Sequence, residues 1–108
     1  MMKDTEPFAY MVSEGALAKI AETAALHVHG VAGTKGRGIL VKNTNGSITI
    51  DIHIQAYYGV PLRTLALTVQ QQTAQAVRIM TEPKELFVHV TIEDLLIKPN
   101  CENDDIGG

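Results

Sequence analysis

Ile39-Leu40-Val41-Lys42-Asn43-Thr44-Asn45-Gly46-Ser47-Ile48-Thr49-Ile50-Asp51-Ile52-His53-Ile54-Gln55-Ala56-Tyr57 decides the fold. Apolar and polar residues alternate on both sides of Asn45-Gly46, which is the period of a half-buried strand. Asn-Gly readily supplies the two positive φ angles of a type I′ turn. With Asn45 and Gly46 as the loop, Val41 faces Ile50, Ile39 faces Ile52, Leu40 faces Asp51 and Lys42 faces Thr49. Apolar partners then meet on one face. A slip of one residue would turn Ile48, Ile50, Ile52 and Ile54 to water, so burial enforces the register that the turn proposes.

Outward from the hairpin, Ser13 to Val28 carries Leu17, Ile20, Ala21, Ala24 and Val28 at helical spacing, and Leu26 stands off that stripe. Ser13 suits the N-cap, Glu14 the positive end of the dipole, and Gly30 a left-handed stop. Beyond the hairpin, Pro61 fits a first helical turn. Leu62, Leu65, Ala66, Val69, Thr73, Ala76, Val77 and Met80 form a second stripe that Pro83 ends. Alternation returns from Leu86 to Glu93, with Leu86, Val88, Val90 and Ile92 on one side and Phe87, His89, Thr91 and Glu93 on the other.

Elements with one apolar face each demand an α/β (α+β) two-layer sandwich, with both helices on one face of a three- or four-stranded mixed sheet. With Phe8–Val12 as a short first strand, the order is β-α-β-β-α-β, as in ferredoxin-like domains. The expected organisation is a flexible N-terminus over 1–7, one domain over 8–97 and an acidic flexible tail over 98–108.

The length of 108 residues suits one domain, which hides roughly two-thirds of its unfolded surface. A chain 45% hydrophobic and 19% charged is neither disordered nor fibrous. Its net charge of −3 weighs against a nucleic-acid partner. The single cysteine, Cys101, excludes an internal disulfide or a multi-cysteine metal site, and fits a reducing cytoplasm. Acidic neighbours Glu102 and Asp104 blunt its thiol. No apolar run reaches the roughly 18 to 20 residues of a membrane span, so direct insertion is not expected. Neither a signal peptide nor an N-terminal lipid site is expected.

The hairpin places Asp51, His53 and Gln55 on the face away from the helices, and the last strand adds Phe87, His89, Thr91 and Glu93. Imidazoles with carboxylates suit zinc or iron. The alternative function is a histidine-dependent metal or small-molecule site on this open face; a metal site on His53 and His89 requires their strands to be neighbours, because an intervening strand separates them by about 10 Å. The favoured reading of Leu40, Asp51, His53, Gln55, Phe87, His89 and Thr91 is a surface for self-association or partner docking, without metal or cofactor. His27 and His29 point apart at their i, i+2 spacing and suit a helix C-terminus.

Gly33-Thr34-Lys35-Gly36-Arg37-Gly38 offers Lys35 and Arg37 to an anion. Phosphate cradles, however, place their glycines before a helix, whereas these precede a strand, so a flexible connector is expected. Nucleic-acid binding through this loop is the weaker alternative, and it would fall steeply with salt. No assembled nucleophile and base is legible: Ser13 serves as a cap and Ser47 follows the turn.

Val28-His29-Gly30-Val31 at a helix end, a strand running into Tyr58-Gly59, a helix bearing Val69-Gln70 and closing at Met80-Thr81, and a last strand Val88-His89-Val90-Thr91-Ile92 stand in one order. In this order the chain resembles the alkaline-shock-protein family across about residues 8 to 97. It departs from the family where Glu82-Pro83 replaces a glycine after Met-Thr, and where His89 replaces an asparagine. The resemblance implies a cytoplasmic bacterial protein linked to cell-envelope stress and alkaline tolerance, without known catalysis. Some family members gather at the membrane through an integral membrane partner, and others sit genetically near fatty-acid metabolism. The expected function is therefore a non-catalytic module that forms homo-oligomers or docks on a membrane-linked protein.

Overall fold

The computed structural model describes residues 11–97. The termini expected to be flexible, and most of the Phe8–Val12 strand, lie outside them; Met11 and Val12, which are described, are not in a strand. The described elements are α1 (Glu14–Leu26), β1 (Val31–Thr44), β2 (Ser47–Tyr57), α2 (Leu62–Thr81) and β3 (Glu85–Leu96). They form two helices and a three-stranded mixed sheet in the order β1-β2-β3, with β1 antiparallel and β3 parallel to β2.

The hairpin has the expected register: Ile39 pairs with Ile52, Leu40 with Asp51, Val41 with Ile50 and Lys42 with Thr49. Asn45 at φ 51 and Gly46 at φ 92 supply the two left-handed residues of the turn. Asn43 Oδ1 accepts the Gly46 N–H at 3.0 Å, which holds the turn from within.

Ile50, Ile52 and Ile54 are wholly buried beneath the helices. Leu17, Ala21 and Ala25 of α1 and Leu65, Val69 and Val77 of α2 complete the core. The alanines let α1 lie close to its neighbours. Ser13 caps α1, accepting the Ala16 N–H at 3.0 Å. At the other end His27 Nδ1 lies 2.7 Å from Thr23 O, so this imidazole donates to a last-turn carbonyl. Gly30, at φ 106, then turns the chain into β1.

Three sequence expectations need correction. Pro61 is the N-cap of α2, just before its first turn. Leu62 and Met80, assigned to the buried stripe of α2, are exposed because they lie at its ends, beyond the sheet's cover. As Pro83 signals, the helix closes just before it, on Glu82 at φ 51, a left-handed residue in the position where a glycine would be unstrained. Finally, Gly33–Gly38 is not a connector preceding the strand but part of β1. Pairing jumps from Thr34↔Ile54 to Ile39↔Ile52, so Lys35, Gly36, Arg37 and Gly38 together stand opposite His53. An excursion this wide needs left-handed residues, which Gly36 (φ 64) and Gly38 (φ 71) provide.

Candidate interaction face

The side of the sheet away from the helices forms a three-column surface. One row is Lys42, Thr49 and Phe87; the next is Leu40, Asp51 and His89; the third places Thr91 beside His53. These residues share a face because each pairs with an outward position of β2, between the buried isoleucines. Phe87 is 49% exposed and Leu40 37%, while Asp51, His53 and Gln55 are half-buried among their neighbours.

At one end the chain covers its own sheet. His53 Nδ1 lies 2.6 Å from Glu93 Oε2, and the two side chains are 18% and 36% exposed. Glu93 in turn underlies the β1 excursion, since a Cβ built on Gly36 would stand 3.6 Å from its carboxyl carbon. Lys35 Nζ lies 3.7 Å from Asp94 Oδ2. Asp94 reaches this face because the β2–β3 register shifts between Ile54 and Gln55, pairing Gln55 with Asp94.

The structure therefore brings Leu40, Asp51, Phe87 and His89 together in adjacent rows and draws His53 into an internal contact. The condition set for a two-histidine metal site, that the two strands be neighbours, is met by β2 and β3. Yet His53 pairs with Thr91 while His89 pairs with Asp51, and His53 already holds Glu93. Among the described residues, no group of three or more His, Cys, Asp or Glu is placed to hold a metal ion. The anion-loop candidates separate: Lys35 faces a carboxylate and Arg37 is exposed. Cys101 lies outside the described residues.

Two contributors, the Glu93 contact and Asp94, escape the sequence reading. Strict alternation would bury Asp94, and two consecutive acids after an alternating strand were the available sign that the alternation breaks there.

Two helices on one face of a β1-β2-β3 mixed sheet define the class: a two-layer α+β domain whose other sheet face no helix among the described residues covers. The sequence profile of the alkaline shock protein 23 family, cell envelope-related function, matches residues 2–97, and the chain belongs to that family. No curated protein sequence gives a match. Among solved structures, the chain is similar to a MamM CTD histidine-to-alanine variant, at TM-score 0.56 and 21% identity over 76% of this chain and 98% of that one. It is also similar to a zinc form of a MamM CTD histidine-to-glutamate variant, at TM-score 0.53 and 19% identity over 79% and 86% of the two chains. A manganese form of another MamM CTD variant matches at TM-score 0.52 and 18% identity over 75% and 100%. At such identities these likenesses establish the fold. No helix among the described residues is long and apolar enough to cross a membrane.

Proposed function

We propose that this member of the alkaline-shock-protein family is a non-catalytic interaction module with a cytoplasmic, cell-envelope-related role. In this reading it self-associates through the uncovered sheet face, and a membrane-linked protein partner uses the same face. One observation carries the reading: α1 and α2 bury one side of the sheet, while Leu40 and Phe87 remain partly exposed on the other. Apolar side chains ringed by polar ones, on a flat surface, suit docking to protein. The rows add self-complementarity. Asp51 and His89 are direct partners in one row, so an antiparallel two-fold pairing lays each copy's imidazole against the other's carboxylate. The Lys35–Gly38 excursion covers the His53 end and confines the docking area to the Leu40, Phe87 and His89 rows.

The test is a pair of charge substitutions. Phe87→Asp and His89→Asp each add a carboxylate near Asp51 on this face, and are expected to abolish oligomers in sedimentation velocity while the circular dichroism spectrum is kept. Assembly unchanged by both would show that another surface is used.

A further inference from the structure

The two edges of the sheet are built differently. β1 forms one edge; the Lys35–Gly38 excursion breaks it, and it carries Lys35 and Lys42, devices that keep an edge strand from pairing with another chain. β3 forms the other edge. Its pairing with β2 runs from Glu85 to Ile92 without a shift, and the irregularity comes only before Asp94. Leu86-Phe87-Val88-His89-Val90-Thr91-Ile92 contains no lysine, proline, glycine or carboxylate, and all but Leu86 and His89 are β-branched or aromatic. Such a segment is suited to pairing along a free edge.

Two hydrogen bonds show which backbone groups of β3 face outward. Gln70 Nε2 donates to the Val88 carbonyl at 3.0 Å, reaching from α2 to a carbonyl that the β2 ladder leaves free. Beyond the register shift, where the alternation is inverted, the Leu96 carbonyl turns back towards the β2 side and accepts the Tyr58 N–H at 2.9 Å. Alternate residues of a strand direct their N–H and C=O groups to opposite sides, so those of Leu86, Val88, Val90 and Ile92 lie along the outer edge. No described strand lies beyond them.

We infer that the β3 edge pairs with the β3 edge of a second copy, antiparallel about a two-fold axis, with Val88 of one copy opposite Val88 of the other. Edge pairing rests on the self-association proposed above and gives it a surface of its own, joining two three-stranded sheets into one continuous sheet. The regular stretch from Glu85 to Ile92 overlaps its copy furthest when either Val88 or His89 sits at the axis. With His89 there, two imidazoles meet, and the pairs at each end set Glu85 against Glu93, like charges directly opposite. With Val88 there, Phe87 lies opposite His89, Leu86 opposite Val90 and Glu85 opposite Thr91, so no carboxylate meets another. Phe87 beside His89 is a favourable cross-strand pair on the side away from the helices, and Leu86 beside Val90 is an apolar pair on the helix side. The two copies of Val88 exchange N–H and C=O groups, and the second copy's N–H takes the place at the Val88 carbonyl that the Gln70 amide now fills. Above this edge, the space between α2 and β3 is lined by uncharged Gln70, Gln71, Ala74 and Gln75, with Arg78 at one end. Arg78 stands about 12 Å along the helix from Gln70, and so well away from the axis and from its own copy.

Amide exchange of the full chain at rising concentration tests the pairing. Leu86, Val88 and Val90 should exchange at least about tenfold more slowly once the chain associates, whereas Phe87 and His89, bonded to β2, should be slow throughout. Val90→Pro removes an outward N–H and leaves the β2 ladder whole, so it should weaken association at least about tenfold in sedimentation velocity while keeping native circular dichroism. Where that variant fails to fold, the exchange series on the unsubstituted chain decides. Leu40→Asp, on β1 and away from this edge, should leave the protection of Val88 and Val90 in place. Association kept in Val90→Pro but lost in Leu40→Asp would overturn edge pairing and leave the face reading standing, as would association in which Leu86, Val88 and Val90 exchange as in dilute protein. Association lost in Val90→Pro but kept in Leu40→Asp would uphold the edge and remove the face. A chain monomeric at every concentration would overturn both.

Discussion

His53 Nδ1 meets Glu93 Oε2 at 2.6 Å across the β2–β3 pair, and Gly36 of β1 lies over that carboxylate. A neutral or protonated imidazole can donate here, so the contact ties the middle strand to an edge strand and supports the excursion above both. Exposed ion pairs contribute little, but this one is short and partly covered. A double-mutant cycle of His53→Ala and Glu93→Ala should give a coupling of about 1 kcal/mol. Amide exchange at Lys35–Gly38 should quicken in both single variants, and additive effects with unchanged exchange would show the contact to be incidental.

Thr73 is wholly buried in the middle of α2, and its hydroxyl has no hydrogen-bond partner among the described residues. Thr81, by contrast, donates to the Val77 carbonyl at 2.8 Å. Replacing an unsatisfied hydroxyl by a methyl removes a desolvation cost without changing shape. Thr73→Val should therefore raise the unfolding free energy by about 1 kcal/mol, read as a higher urea midpoint at constant m.

Glu82 ends α2 in the left-handed region that L residues avoid and glycine does not. Glu82→Gly should stabilise the fold by about 0.5 to 1 kcal/mol, since relief of strain outweighs the added chain entropy. Glu82→Val, β-branched and left-handed, should lower Tm.

Ile52 lies at the centre of the middle strand with no exposed surface. Ile52→Ala should cost about 2 to 5 kcal/mol, the range for emptying a packed aliphatic site. The outward neighbour Asp51→Asn should change stability by less than about 0.5 kcal/mol, as expected of a surface position.

The helices, hairpin and last strand were legible because their signals are local. Asn45-Gly46 sets two φ angles, the alternation of Ile48 to Ile54 sets the register, and Ser13 marks a helix start. The uncovered face followed from the same alternation, so Leu40, Asp51, Phe87 and His89 could be grouped without knowing strand order. Strand order itself is a tertiary choice, and only the structure shows that β3 adds beside β2 in parallel. The glycine-rich segment was misplaced because glycines permit a connector and a wide bulge equally. What decides between them is pairing across the sheet, Thr34 with Ile54 and Ile39 with Ile52, which no local pattern encodes. The closure of His53 by Glu93 depends on that excursion and on the shift that brings Asp94 beside Gln55, and it was hidden for the same reason.

The most direct measurement is a concentration series of amide and side-chain NMR shifts on the full chain. Self-association through the uncovered face predicts shifts that grow with concentration at Leu40, Thr49, Asp51, Phe87 and His89, while Thr23 and Gln71 on the helices stay fixed. A chain that remains monomeric at high concentration, or one whose changing signals lie on α1 and α2, would contradict it.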